Sequence, residues 1–316
     1  MKASSTSRRA RKALLWTLLV LGFFELAARQ VFSGSLRILK PSTDPVLGYE
    51  LVPGTFVSDG FLRRIKQPVE YEISPGGCRA SSALQGPVVS PDVVLLGGSV
   101  AFGLDAAFED TVGWRLREAL RKKTGRPLEI ESCAVPGHRL VQSLRMVETQ
   151  ALTKHPRVVA VLLVKQHLKT SINWTRLIPK SPAADFLTTH VRVARIAYLF
   201  GYLYLIEGES FDGASSEETQ ANLERSIEQL SESFKGSATR GVFFLGQDVK
   251  HSSMNLEQAL SSRGFEVHRF QSLPDINAAP ELWADSGHWN GRGAEALSSQ
   301  LVDGLDAALA REGGPR

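Results

Sequence analysis

Cysteine is almost absent from this chain: Cys78 and Cys133 are the only two in 316 residues. Two cysteines build no disulfide framework. With no CxxC pair, no HExxH motif and no ligand spacing among the seven histidines, the chain carries no metal signature. No metal and no cofactor are therefore expected. The two thiols would pair in an oxidising compartment, but the simpler reading, two ordinary small buried residues, is preferred. Internal repeats and low-complexity tracts are also missing. Nor is there a basic stripe interleaved with aromatic residues, the footprint of a nucleic-acid binder. The formal net charge is only +4, and Lys2, Arg8, Arg9, Arg11 and Lys12 all fall before residue 13. The remainder is close to neutral, so no nucleic-acid partner is expected.

Long apolar runs are scarce as well. The one that stands out is ALLWTLLVLGFFELAA, residues 13–28, directly behind the basic cluster and interrupted by Glu25. As a helix it would reach roughly 24 Å, a little under a hydrocarbon core of about 30 Å. A cleaved signal peptide fits poorly, because Leu26 stands before Ala28 where a small residue is wanted. A buried soluble helix does not need five flanking cations. An uncleaved signal anchor is the preferred reading, a transmembrane helix with its cations in the cytoplasm and the bulk of the chain outside. The organisation expected is a cytoplasmic basic segment (1–12), the anchor (13–29), a linker and N-terminal strand segment (30–90) and a folded domain (91–316).

Hydrophobic residues make up 43% of the chain and charged residues 22%, a globular balance. VEYEIS, 69–74, alternates as a strand does, and PGG then turns the chain. DVVLL (92–96) and RVVAVLLV (157–164) are continuous apolar runs, as central parallel strands are. Between them EDTVGWRLREALRKKTG places acids early, cations late and Gly125 at the stop, a dipole-ordered helix. LEIESCAV reads as a strand and RLVQSLRMVETQALTKH as a helix that ends before Pro156. VRVARIAYLFGYLYLI, 191–206, is read as a packed helix in preference to a second span, because Arg192, Arg195 and Gly201 interrupt it. Leu223, Ile227, Leu230 and Phe234 share one helical face. GVFFLG and FEVHRF follow as strands, and GRGAEALSSQLVDGLDAALA closes the chain as a helix. This alternation predicts an α/β fold, three-layer α/β/α around a mostly parallel sheet, with ligands beyond the carboxyl ends of the strands.

Ser99 stands there, at the end of VVLLGGSVAFG. A phosphate-binding loop is excluded, because Gly98 and Gly103 have its spacing but Leu104 follows. A dinucleotide fingerprint is excluded by Gly97-Gly98-Ser99, and the α/β-hydrolase elbow by Ala101, where a glycine is required. What is left is a tight turn with a hydroxyl at its tip. Near the other end, WADSGHWNGRG sets Asp285 and His288 three apart, a spacing that puts both side chains on one side of a turn. Alone, that pair reads first as a surface Asp and His. Combined with a serine at a strand end, it supplies the base that a serine nucleophile needs.

These blocks together resemble the SGNH hydrolases, also called GDSL esterases, in the membrane-anchored bacterial form. LLGGSVAFG matches the family's first block, SCAVPGHRL its second with Gly137, and DSGHWNGRG its last; DPVLGYELVPG and EISPGGCRAS resemble segments that precede the catalytic domain. The resemblance runs from about Asp44 to the C-terminus. It departs at the third block, where VKQHLKTSINW puts Gln166 in the place of the family's asparagine and His167 in that of its aspartate, with Asn173 seven residues further on. Ser132 stands near the second block's usual asparagine. The resemblance implies a flavodoxin-like layered fold and a carboxylic ester hydrolase. In it Ser99 is the nucleophile, His288 the base and Asp285 its orienting acid. Ser99, Gly137 and Gln166 form the oxyanion hole. It implies an acylated carbohydrate or lipid ester as substrate, O-acetyl polysaccharide first, and a domain on the periplasmic or extracellular side. The alternatives are a non-catalytic glycan-binding or assembly scaffold and a polysaccharide O-acetyltransferase.

Overall fold

The computed structural model describes residues 5–31, 38–58, 68–80, 90–164, 216–247, 255–274, 277–283 and 288–311, with isolated positions among 183–197 and at 249. Helix α1 (Ser5–Val31) comes first. Its apolar side chains from Leu14 to Leu26 are exposed, Trp16 and Phe23 at 67% and 68%. The expected transmembrane anchor is corrected here: among the described residues no helix is long and apolar enough to cross a membrane. The apolar stretch is short for a hydrocarbon core, bounded by cations before it and broken by Glu25. The Glu25 carboxylate accepts the backbone N–H of Val193 at 3.0 Å.

Strands β1 (Leu39–Pro41) and β2 (Tyr49–Leu51) form a small antiparallel pair. β3 (Gly54–Ser58), β4 (Val69–Ile73) and β5 (Arg79–Ala80) follow, also antiparallel. In β4 the predicted alternation is real: Val69, Tyr71 and Ile73 are buried while Glu70 is exposed. β6 (Val93–Gly97) is buried at every position, as its unbroken apolar run requires. After it come α2 (Ser99–Phe102), α3 (Val112–Thr124), β7 (Ile130–Ser132), α4 (Leu140–Met146) and β8 (Val158–Leu163). α5 (Ser216–Phe234), β9 (Arg240–Gly246), α6 (Leu256–Ser261), β10 (Glu266–Phe270) and α7 (Gly291–Ala310) complete the described elements.

β3 to β10 form one eight-stranded sheet in the order β10-β9-β8-β6-β7-β5-β4-β3. The five strands from β6 to β10 run parallel; β5 joins β7 antiparallel. Residues 54–80 thus extend the domain's own sheet. The crossover from β6 to β7 runs one way along the sheet and that from β7 to β8 the other. Right-handed crossovers therefore set α3 and α4 on opposite faces. α7 packs beside α3, and α5 beside α4. Helix α3 shows how local chemistry sets its limits. The Thr111 side chain accepts the N–H of Trp114, Arg121, Lys122 and Lys123 face the dipole's negative end, and Gly125 closes it. Leu116 and Leu120 are fully buried on its inner face, each contributing about 1.5–3 kcal/mol.

Cys78 and Cys133 are joined in a disulfide. This overturns the reading of two unpaired buried residues. Arg79 sits opposite Ser132 in the β5–β7 ladder, so the residue before one and the residue after the other face each other. Chain distance hid that pairing; antiparallel register creates it.

Candidate active site

β6 ends where the strand order reverses: β7 lies on one side of it and β8 on the other. Such a switch point opens a crevice at the carboxyl ends of the strands. The approach to it depends on Gly97, whose φ is 148° and where a Cβ would lie 2.6 Å from the Leu162 carbonyl oxygen. Only glycine lets β6 run this close to β8 and then turn. Ser99 is the first residue of α2, a single turn. The N–H of Phe102 bonds the Gly98 carbonyl at 3.0 Å, and those of Gly103 and Leu104 bond the Ser99 carbonyl at 2.9 and 3.0 Å. The Ser99 side chain is left half-buried at the crevice.

His288 reaches the same cleft from the far end of the chain; Ser99, His288, Leu104, Asp110, Val112 and Trp289 are among the residues that line it. The His288 turn is held by a one-residue bridge between Trp283 and Trp289 and by Asn290. The Asn290 side chain accepts the N–H groups of Arg292 and Gly293 and so caps α7. Its amide donates to the carbonyls of Glu281 at 2.7 Å and Trp283 at 3.2 Å. Both of the sequence's central candidates are thus brought together. A hydroxyl and an imidazole in one cleft are the two parts of a base-activated nucleophile.

Gly137 lies in the neighbouring turn. Beyond β7 the chain keeps following β6: Cys133 N–H bonds Leu95 at 2.9 Å and Val135 N–H bonds Gly97 at 3.1 Å. Two residues on, Gly137 has φ 83° and presses against the Tyr49 hydroxyl, which leaves no room for a Cβ. That hydroxyl donates to the Pro136 carbonyl at 2.9 Å. Asp285 and Gln166 lie outside the described residues, as do His167 and Asn173.

Two cleft residues were not legible beforehand. Asp110 pairs with Arg115 at 2.6 Å and its carboxylate lies against Gly291, beside the His288 turn. Trp289 packs edge-on against Trp283, and its indole N–H is buried with no hydrogen-bond partner among the described residues. Asp110 read only as an early helix acid. Trp289, next to His288 in sequence, was the nearer signal.

No family model matches the chain, and no curated protein matches it. Solved structures do resemble it. The psychrotrophic esterase EstA from Pseudoalteromonas sp., inhibited by monoethylphosphonate, is 12% identical over 70% of this chain and 100% of that one, with a TM-score of 0.43. A two-domain esterase active on acetylated mannans is 12% identical over 72% of this chain and 51% of its own, TM-score 0.42. A lipase/acylhydrolase from Enterococcus faecalis is 15% identical over 68% and 95%, TM-score 0.38. No function is taken from likenesses of this size.

Proposed function

We propose that this chain is a serine esterase of the SGNH type that removes O-acyl groups, O-acetyl first among them, from envelope or extracellular polysaccharide. The observation that carries the reading is the presence of Ser99 and His288 in one cleft at the sheet's switch point. In this reading the Ser99 hydroxyl attacks the ester carbonyl and passes its proton to His288. The C–O bond to the sugar breaks as His288 returns that proton to the leaving alcohol. Water, deprotonated by the same imidazole, then attacks the acyl-serine; the bond to the Ser99 oxygen breaks, the carboxylic acid leaves, and the proton returns from His288 to that oxygen. Asp285 holds the imidazole's other nitrogen. The N–H groups of Ser99 and Gly137 and the Gln166 amide meet the oxyanion; one such donor is typically worth about 3 kcal/mol. The domain belongs outside the cytoplasm. A structural disulfide suits an oxidising compartment, and α1 carries exposed apolar side chains behind a basic segment.

The test is direct. Purified protein is expected to hydrolyse a chromogenic acetyl ester, to release acetate from an acetylated glycan, and to be labelled by a fluorophosphonate at Ser99. Ser99→Ala loses about 10⁴-fold or more in kcat and all labelling. A folded wild-type protein that takes no label overturns the reading in favour of a glycan-binding scaffold. Acetyl transfer to a sugar hydroxyl outpacing transfer to water makes it a transferase.

A further inference from the structure

Burying an arginine is costly unless its charge and its donors are answered. Arg79 in β5 is only 2% exposed. Its donors go to one short stretch of backbone. Nη1 donates to the carbonyls of Phe102, at 3.0 Å, and Gly103, and Nη2 to that of Ala106 at 2.6 Å. These are the carbonyls that end α2 and the turn after it; that of Gly103 also accepts the N–H of Ala106 at 3.2 Å. Ser132, opposite Arg79 in the ladder, adds a fourth bond from its hydroxyl to the Ala101 carbonyl at 2.9 Å. The guanidinium lies against the rings of Tyr71 and Phe102, 4.8 and 5.1 Å from their centroids. Tyr71 in turn receives the N–H of Asp105 at 2.8 Å and donates to its carboxylate at 3.2 Å, holding a residue at φ 60°. Burial lowers the guanidinium to about 10, so it stays charged at neutral pH, and its Nε is buried with no partner among the described residues. A group retained at that cost, with every satisfied donor on the turn that starts at Ser99, is placed to hold that turn.

We propose that Arg79 is a positioning residue for the nucleophile: by clamping the carbonyls of residues 102, 103 and 106 it keeps the Ser99 hydroxyl and backbone N–H aimed into the cleft. This rests on the serine-esterase reading. Arg79 is not among the described residues that line the cleft, so its replacement removes no side chain from that lining. The disulfide at its neighbour Cys78 ties the same strand to the segment that leads to Gly137. One buried assembly thus sets both proposed oxyanion donors on the backbone.

The experiment compares wild type, Arg79→Lys, Arg79→Met and Tyr71→Phe, all on the full chain, by near-UV circular dichroism, ester kinetics and the rate of fluorophosphonate labelling. A misplaced nucleophile is expected to lower kcat and the labelling rate by about 10- to 100-fold in Arg79→Lys, with KM within about three-fold of wild type. Arg79→Met falls further, and the lysine recovers part of that loss. Tyr71→Phe, which removes only the hydroxyl that holds Asp105, falls less and decides the matter if the arginine variants do not fold. Wild-type labelling together with folded variants that label at the wild-type rate, or that lose activity through KM alone, overturns the positioning role and leaves the esterase reading standing. Absence of label in the wild type overturns the esterase reading first.

Discussion

The turn that carries Ser99 and the turn that carries His288 face one cleft but are secured in different ways. The serine's turn grows out of β6, buried on every residue, and its carbonyls are bonded from below by Arg79 and Ser132. The histidine's turn hangs between a short helical turn at Pro280–Leu282 and α7, joined by a single bridge and the side chain of Asn290. The first is part of the core, so its geometry is set whenever the domain folds. In the second, His288, Trp289 and Asn290 are only half-buried, with Trp289 packed against the edge of the core. The turn that carries Ser99 is fixed by folding, and the turn that carries His288 lies at its edge.

That contrast is broken or sharpened by four variants. His288→Ala is expected to have the largest effect, about 10⁴-fold in kcat, or roughly 5.5 kcal/mol of barrier, with no change in melting temperature. A drop in melting temperature of several degrees would mean that the histidine's turn supports the core after all. Gly97→Ala strikes the other turn: its φ of 148° and the carbonyl 2.6 Å from the new Cβ together cost about 2–4 kcal/mol of stability, and activity falls with it. Urea unfolding measures the first and ester turnover the second; activity lost at unchanged stability would be the wrong outcome. Removing the disulfide, by Cys78→Ser with Cys133→Ser, is expected to cost about 2–4 kcal/mol in the same urea experiment and to slow labelling at Ser99. Asn290→Ala has the smallest effect on stability, about 1 kcal/mol for a lost cap, yet lowers kcat by about 10-fold, because the amide that is lost also positions the His288 turn. If Asn290→Ala and Gly97→Ala lose activity and stability in the same proportion, the two turns are not secured differently.

The central strands and helices α3, α5 and α7 were readable because each writes its environment into a short window; the helix expected over 191–206 falls largely outside the described residues. Val93–Gly97 and Val158–Leu163 are apolar without interruption and are buried without interruption. α3 has its cap, its cations and its stop in the places that the dipole demands. β1, β2 and β5 carry no such signature, since two or three residues hold too little pattern to identify a strand. Of the sheet's antiparallel strands β4 was read from its alternation, whereas β5 was missed: it is a strand only because β4 and β7 flank it. At the site, Ser99 and His288 were legible through spacing, whereas Arg79 read as one more charged residue after a turn. Its value lies in three carbonyls more than twenty residues away in the chain.

Local order of apolar, charged and turn-forming residues was enough to define the α/β alternation, the tight turn at Gly97-Gly98-Ser99 and the chemical types present at both ends of the chain. Convergence needed the folded chain: Ser99 in one cleft with His288, Cys78 bonded to Cys133, Arg79 under the turn that starts at Ser99. Periodicity and propensity act over a few residues and are written locally. Register, crossover direction and the partners of a buried charge are set by segments far apart in the chain, and they exist only once the sheet has assembled.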